Sequence, residues 1–445
     1  MAQIVWRGTI LIMMLLSLNG CAGGQAVTQP TQPAASTVAF IFPTPTTQPT
    51  PTELPDGPFT WGGGQRPLLM AHIMPWYQTQ AHSGSWGWHW TMGHFSPKQS
   101  ADGAWSELAS HDTPLIGPYD SQDEAVLAYQ VLLMKLSGID GVIIDWYGME
   151  NFRDYGQINE STARLVQAVK KAGLKFVICY EDQTVKHRVD NQDLPKADAV
   201  EHGKAVMRYL QKTWFGDEAY LKVDGRPLLL TFGPQYFKGD EWKSLFSVLK
   251  PQPVFITLDK HEVPGSAGSY PWPPMWAAPG QTLAHERLAS YLSDFYTRAA
   301  GWEYQVGGAF PGYHDIYKEA GVSDSNGYLD ALDGKTLRYT LQTALDHQPD
   351  LVQLITWNDY GEGTVLEPTV EYEYRYLEII QEARQVIGGA DFVYERQDLR
   401  LPLAWYHLRV KYAEDTQVSA QLEQAFAAMV AGNMAEAEKI VNSQP

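Results

Sequence analysis

SQDEAVLAYQVLLMKLSGIDGVIIDWYG, residues 121–148, places a helix directly before a strand. Ser121 and Glu124 have the spacing of a capping box, and Gly138 supplies the residue at which such a helix closes. The run that follows, DGVIIDWYG (140–148), is short and almost wholly apolar, as a strand buried on both faces must be. Outward from this pair the same alternation repeats. The other runs are LLMAHIMPWY (68–77), KFVICYED (175–182), RPLLLTFG (226–233), PVFITLDK (253–260), a weaker PPMWAAPG (273–280), YQVGGAFPGYHD (304–315) and LVQLITWND (351–359). Between them lie amphipathic stretches such as ESTARLVQAVKKAG, which ends at Gly173. Strands of this kind separated by helices predict a parallel sheet covered on both faces. Eight of them over about 310 residues, with no Gly-x-Gly-x-x-Gly turn after the first, predict an α/β fold of the (β/α)₈ TIM-barrel type rather than an open doubly wound sheet.

The flanks read differently. Arg7 and the apolar run Ile10–Leu18 have the length of a signal-peptide core, and Leu18-Asn19-Gly20-Cys21 resembles the bacterial lipobox, in which the cysteine is lipidated. Residues 1–20 are therefore expected to be a lipoprotein signal peptide, and Cys21 the anchor of an exported bacterial lipoprotein at the cell membrane or outer envelope surface. Residues 21–57 are rich in Pro and Thr and read as an extended tether able to reach on the order of 100 Å. Residues 58–388 form the expected barrel domain. Residues 389–445 form a small C-terminal helical extension, with a break at Gly432-Asn433.

The chain has 445 residues, a formal net charge of -18, and 15 Trp among 12% aromatic residues. The negative charge argues against nucleic acid and anionic lipid headgroups as partners, which leaves the lipid anchor as the expected membrane contact. Two cysteines exclude a disulfide scaffold. There is no P-loop and no Gly-x-Ser-x-Gly elbow. His82, His89, His94 and His111 fall in no zinc-ligand spacing, so neither a metal nor another cofactor is expected.

In a barrel of this kind the reactive groups project from the C-terminal ends of the strands. Those ends read Pro75-Trp76-Tyr77, Asp145-Trp146-Tyr147, Tyr180-Glu181-Asp182, Asp259, Tyr313-His314-Asp315 and Trp357-Asn358-Asp359. Carboxylic acids to move protons on glycosidic oxygens and flat rings to stack on pyranose faces are what a sugar site requires. The sharpest element is TWNDYGEGTVLEPT, where Asp359 and Glu362 stand three residues apart and Gly361 and Gly363 permit a tight turn. A carboxyl facing an aromatic cavity has its pKa raised, which suits a general acid. In SGSWGWHWTMGHFSP, Trp86, Trp88 and Trp90 alternate as in an extended segment with one face of rings.

With AHIMPWY, GWHWTMGHF, ASHDTPLIGPYDS, YQVLLMKLSGIDGVIIDWYG, LKFVICYED and TWNDYGEGTVLEP, the chain resembles the bacterial glycoside hydrolase family 71/99-like proteins from about Pro67 to Ile387. The resemblance implies a (β/α)₈ hydrolase cleaving within an α-linked polysaccharide, α-1,3-glucan in family 71 and α-mannosides in family 99. Family 99 carries N-E-W-H-E-G-T on its last strand loop, which matches here at Asn358, Asp359, Glu362, Gly363 and Thr364. By that match Glu362 is the general acid/base. Asp359 takes the place of a glutamate that assists the substrate's own 2-hydroxyl, and is one methylene shorter. Family 71 is inverting, and there Asp359 or another rim acid would activate water. The expectation is therefore an endo-acting glycoside hydrolase with a polysaccharide or oligosaccharide substrate. Asp145, Tyr147, Glu181, Asp182, His314 and Asn358 would hold hydroxyls, and Trp76, Tyr77, Trp90, Trp146 and Trp357 would stack on sugar rings. The alternative is a non-catalytic surface glycan-binding lipoprotein on the same barrel. Oligomeric state is left open.

Overall fold

The structure, a computed structural model, describes residues 54, 57–260, 263–388 and 391–445. The expected signal peptide, Cys21 and nearly all of the Pro/Thr tract lie outside the described residues. Eight strands form the barrel: β1 Leu68–Ile73, β2 Gly141–Trp146, β3 Lys175–Tyr180, β4 Arg226–Thr231, β5 Val254–Leu258, β6 Gly268–Tyr270, β7 Val306–Ala309 and β8 Leu351–Leu354. They pair in parallel in the order β7-β8-β1-β2-β3-β4-β5-β6. Leu68 lies opposite Leu351, and Met70 opposite Gly141. A backbone bond from the Tyr304 N–H to the Ala267 carbonyl, 3.1 Å, lies across the remaining seam between β6 and β7. The TIM-barrel architecture is thus the one expected, and every residue of β2 is buried, as a strand covered on both faces must be.

Three local expectations are corrected. The sixth strand is Gly268–Tyr270, upstream of PPMWAAPG, which instead forms a short 3₁₀ turn at Met275–Ala277. Pro271, Pro273 and Pro274 have no N–H to give a ladder, so the strand must end before them. Helix α1, Glu124–Ser137, is capped by Asp123 rather than Ser121: the Asp123 carboxylate accepts the N–H groups of Ala125 and Val126, while the Ser121 hydroxyl accepts the N–H of Tyr77. Gly138 closes the helix at φ 84° as expected. The tryptophan loop is not extended, because Trp88–Thr91 forms a helical turn.

Further helices include α2 Tyr155–Lys171, α3 Ala199–Leu210, α4 Gly239–Phe246, α5 His285–Ala299, α6 Lys335–Asp346 and α7 Arg375–Gly388, followed by the C-terminal α8 Leu401–Lys411, α9 Thr416–Val430 and α10 Met434–Asn442. The extension explains a feature of α1. That helix buries residues on all sides, from Val126 and Tyr129 to Leu133 and Leu136, because α8 and α9 cover the flank that solvent would otherwise meet. The Trp405 indole, buried between them, donates to the Leu422 carbonyl at 2.8 Å. Residues 391–445 therefore share the compact unit of the barrel. Among the described residues no helix is long and apolar enough to cross a membrane.

Candidate active site

The loop after β8 is held from every side. The Asp359 N–H donates to the Thr356 hydroxyl at 2.8 Å, and the Asp359 carboxylate accepts the Glu362 N–H at 3.0 Å. Gly363, at φ 65°, lies so near the His314 backbone that a Cβ would stand 2.5 Å from its carbonyl oxygen. Only glycine fits there, and the loop runs flush against 314–316 through bonds from the His314 N–H to the Glu362 carbonyl and from the Ile316 N–H to the Gly361 carbonyl. Beneath it the buried Glu367 carboxylate accepts from the hydroxyls of Tyr119 (2.6 Å) and Tyr360 (2.8 Å) and from the Gln130 amide (3.0 Å), which ties the loop to α1.

Asp359 and Glu362 share this dry space with Asp145 from the end of β2 and Glu181 after β3. Asp145 is buried with neither carboxylate oxygen hydrogen-bonded among the described residues. Burial, then the Asp359 charge, pushes it well above the usual carboxylate range. Burial and then Asp145 do the same to Glu181. Glu362 is raised well above its ordinary value by burial and the Asp359 charge, against hydrogen bonds from the Trp272 indole, 3.4 Å away, and the Tyr313 hydroxyl. Asp359 is different. Burial pushes it only up to about 6, because the hydrogen bond from the Glu362 N–H opposes the rise. Carboxyls this close cannot all ionise together. Asp359 is the first to lose its proton, and Glu362 keeps one to give.

Several residues expected to touch substrate are used otherwise. Asp182 spends both oxygens on the N–H groups of Gln235 (2.7 Å), Tyr236 (2.9 Å) and Phe237 (2.8 Å), fixing the loop after β4. Asn358 accepts from the Met74 N–H and donates to the Met74 carbonyl and the Tyr119 hydroxyl, locking β8 to β1. Trp146 points away from the axis: alternation along β2 turns Asp145 inward and Trp146 outward, against Tyr209 and Trp214, with its N–H on Asn159. Trp90 and Trp357 are fully buried, as is Tyr77, whose hydroxyl donates to the Asn358 carbonyl. Trp76 is 9% exposed and carries the His89 ring flat against it at 4.0 Å. Trp76, Tyr77 and Trp90 pack on one another and on Tyr360 of the loop after β8. His314 is exposed and stacks on His111, whereas its neighbour Tyr313 faces Glu362. Tyr147, half-buried, lies beside Glu181 and Asp145. Asp259 is held by the Tyr291 hydroxyl and Arg298.

Trp272, Tyr313, His72 and His89 were missed as site residues. Trp272 follows the sixth strand, and misplacing that strand hid it. Tyr313 is one residue from His314, and a one-residue slip along an extended segment turns the side chain to the other face. His72 is the polar residue in an otherwise apolar strand. It accepts the Gln353 amide at Nδ1 (2.8 Å), and burial lowers its pKa to about 3. His72, Asp145 and Cys179 bring one ligand atom each within 4.8 Å of one another, a donor set suited to an ion of the zinc class. An ion there would sit beneath the Asp359–Glu362 loop, and the proton chemistry of that pair does not call on it.

No protein-family model matches the chain. Over 340 residues it is 22% identical to the glycoprotein endo-alpha-1,2-mannosidase-like protein of Mus musculus, covering 68% of this chain and 69% of that one. The Homo sapiens protein of the same name is 22% identical over 346 residues, covering 68% of each. Among solved structures, the GH99 endo-alpha-mannosidase from Bacteroides thetaiotaomicron in complex with bis-tris-propane superposes with a TM-score of 0.53 at 19% identity, over 76% of this chain and 98% of that one. A glycoside hydrolase-like protein gives 0.51 at 12% identity, over 74% and 97%. This chain shares its fold with these solved structures.

Proposed function

We propose that the chain is a glycoside hydrolase that cleaves within an α-mannan-type glycan, with Glu362 as general acid and Asp359 as its ionised partner. The observation that carries this reading is the placing of two carboxyls on one locked loop, the Asp359 carboxylate accepting the Glu362 N–H at 3.0 Å, with Glu362 raised well above its ordinary range by burial and the Asp359 charge. The mannosidase names of the similar proteins favour α-mannoside over α-1,3-glucan. Glu362 gives its proton to the glycosidic oxygen as the bond to the anomeric carbon breaks. Asp359 accepts the proton of the group that adds there, water or the sugar's own 2-hydroxyl, and its charge steadies the oxocarbenium-like transition state. Asp145, Tyr147 and Glu181 line the same space and are the hydroxyl-binding candidates that the packing leaves free for that role. In the same reading Cys21 carries a lipid that tethers the barrel to the outside of a bacterial membrane, and no cofactor takes part.

The test is cleavage of α-mannan and α-1,2-mannobiose, with α-1,3-glucan alongside, by the wild type, Glu362→Gln and Asp359→Asn, product anomers being followed by NMR. Release of sugars that falls at least 10³-fold in Glu362→Gln supports the assignment, and full activity in that variant overturns it. Glycan binding without cleavage by the wild type would move the reading to a non-catalytic glycan-binding protein.

A further inference from the structure

We propose that His72, Asp145 and Cys179 form a binding site for one divalent ion of the zinc class, inside the barrel beneath the Asp359–Glu362 loop. The site stands apart from the hydrolase reading, since neither Asp359 nor Glu362 is a donor to the ion.

The strands aim the three side chains at one another. Asp145 on β2 lies opposite Cys179 on β3, and His72 on β1 lies opposite Ile143, two residues before Asp145. Residues paired across parallel strands share a face, as do residues two apart, so all three point into the barrel. There Nε2 of His72 stands 3.9 Å from Oδ1 of Asp145, and one donor atom from each residue lies within 4.8 Å of the others. A tetrahedral zinc ion at its ordinary bond lengths holds such donors about 3.3–3.7 Å apart, so the side chains need to close by only roughly 1 Å.

These side chains are at most 1% exposed. Yet among the described residues Nε2 of His72 and both carboxylate oxygens of Asp145 have no hydrogen-bond partner. Burying polar atoms in that condition is costly, and an ion that takes their lone pairs removes the cost. The sulfur of Cys179 is open to the same ion. Its neighbour at 3.7 Å, the Tyr270 hydroxyl, gives its proton to the Thr231 carbonyl at 2.9 Å. A thiolate and a carboxylate cancel the charge of a divalent ion, so the loaded site is neutral and suited to burial. Thiolate with imidazole selects zinc or cobalt over magnesium or calcium. As the metal bonds form, the thiol proton leaves to solvent, with the carboxyl proton where Asp145 holds one. Gln353 on β8 supplies the outer support. As placed, its amide gives an N–H to Nδ1 of His72 at 2.8 Å, and its Oε1 has no partner among the described residues. Turned over, the amide oxygen accepts the Nδ1 proton and fixes the tautomer whose Nε2 lone pair faces the ion. A water molecule completes four-coordination, and the second oxygen of Asp145 keeps the part given to it above.

The experiment uses the full-length protein, stripped with a chelator and titrated at micromolar concentration with Zn²⁺ alone and with Co²⁺ alone. The wild type is set beside Cys179→Ala, His72→Gln and Gln353→Leu, each checked for a cooperative melt. The wild type should take up one equivalent, and its Co²⁺ form should show a near-ultraviolet thiolate-to-cobalt charge-transfer band with the visible bands of a tetrahedral ion. Cys179→Ala should lose the charge-transfer band. Cys179→Ala and His72→Gln should bind roughly 100-fold more weakly or not at all, and Gln353→Leu roughly 10-fold more weakly with the band kept. Zn²⁺ should raise the Tm of the wild type and leave that of Cys179→Ala unmoved. Uptake well below one equivalent by the wild type overturns the proposal, as does a Co²⁺ complex without the thiolate band. Equal affinity in wild type and Cys179→Ala, as surface histidines would give, overturns it too. Cys179→Ala leaves a small apolar residue in the strand, so the test holds even where His72→Gln fails to fold. Failure here leaves the hydrolase reading to its own test by Glu362→Gln.

Discussion

Replacing Asp182 by Asn separates a structural carboxylate from a sugar-binding one. In the wild type one oxygen accepts the Gln235 N–H and the other accepts those of Tyr236 and Phe237, all at 2.7–2.9 Å in a fully buried setting. Asn keeps one acceptor and turns an NH₂ toward N–H donors, so at least one charge-assisted bond is lost and a buried donor is left unpaired. At about 1.5–3 kcal/mol for each, the expected loss is about 4 kcal/mol. For a unit spanning Leu54–Pro445, with an unfolding entropy near 0.8 kcal/mol per degree, that lowers Tm by about 5 °C. The cost also depends on pH. Burial raises the Asp182 pKa to about 6 in the folded state, against the three N–H bonds that lower it. A carboxyl raised on folding adds stability below its unfolded value that is lost as pH climbs through the folded one. The wild type therefore gains about 1.3 kcal/mol from pH 7 to pH 5 that the Asp182→Asn variant cannot gain, and the gap between the two proteins widens on acidification. Calorimetric scans of both proteins at pH 5 and pH 7 measure this. An Asp182→Asn protein that melts with the wild type but loses glycan affinity would refute the reasoning and return Asp182 to the sugar-binding set.

Other expectations follow from the same geometry. Because Asp359 must be ionised and Glu362 protonated, kcat/KM should rise with pH through about 6 and fall at higher pH as Glu362 loses its proton; an Asp359→Asn variant with residual activity should lack the acid limb. Gly138→Ala places a Cβ 2.2 Å from the Arg384 Cγ at φ 84°, disturbing the arginine that binds Asp140, and should cost about 2 kcal/mol or more in urea denaturation. Trp405→Ala, which opens the packing of α8 on α9, should cost about 3–5 kcal/mol by the same assay; wild-type stability would show the extension to be dispensable. Cys21→Ser should abolish labelling by a radioactive fatty acid in a bacterial host and release the protein from the membrane fraction.

The barrel was legible because strand burial on both faces writes itself locally, as unbroken apolar runs such as Gly141–Trp146, and because Gly138 marks a helix end by a conformation few other residues adopt. The closeness of Asp359 and Glu362 was legible too, since they lie on one short loop whose glycines announce its tightness. What the chain by itself could not reveal was direction and competition. A ring at a strand end looks the same whether alternation turns it to the axis, like Asp145, or to the helices, like Trp146. Asp182 and Asn358 carry the chemistry of sugar ligands, but their hydrogen bonds are taken by backbone 53 to 284 residues away. The split between Asp359 and its neighbours was decided by tertiary structure alone, because a carboxyl's proton affinity depends on the charges and the dry space around it, and those arrive from strands distant in sequence.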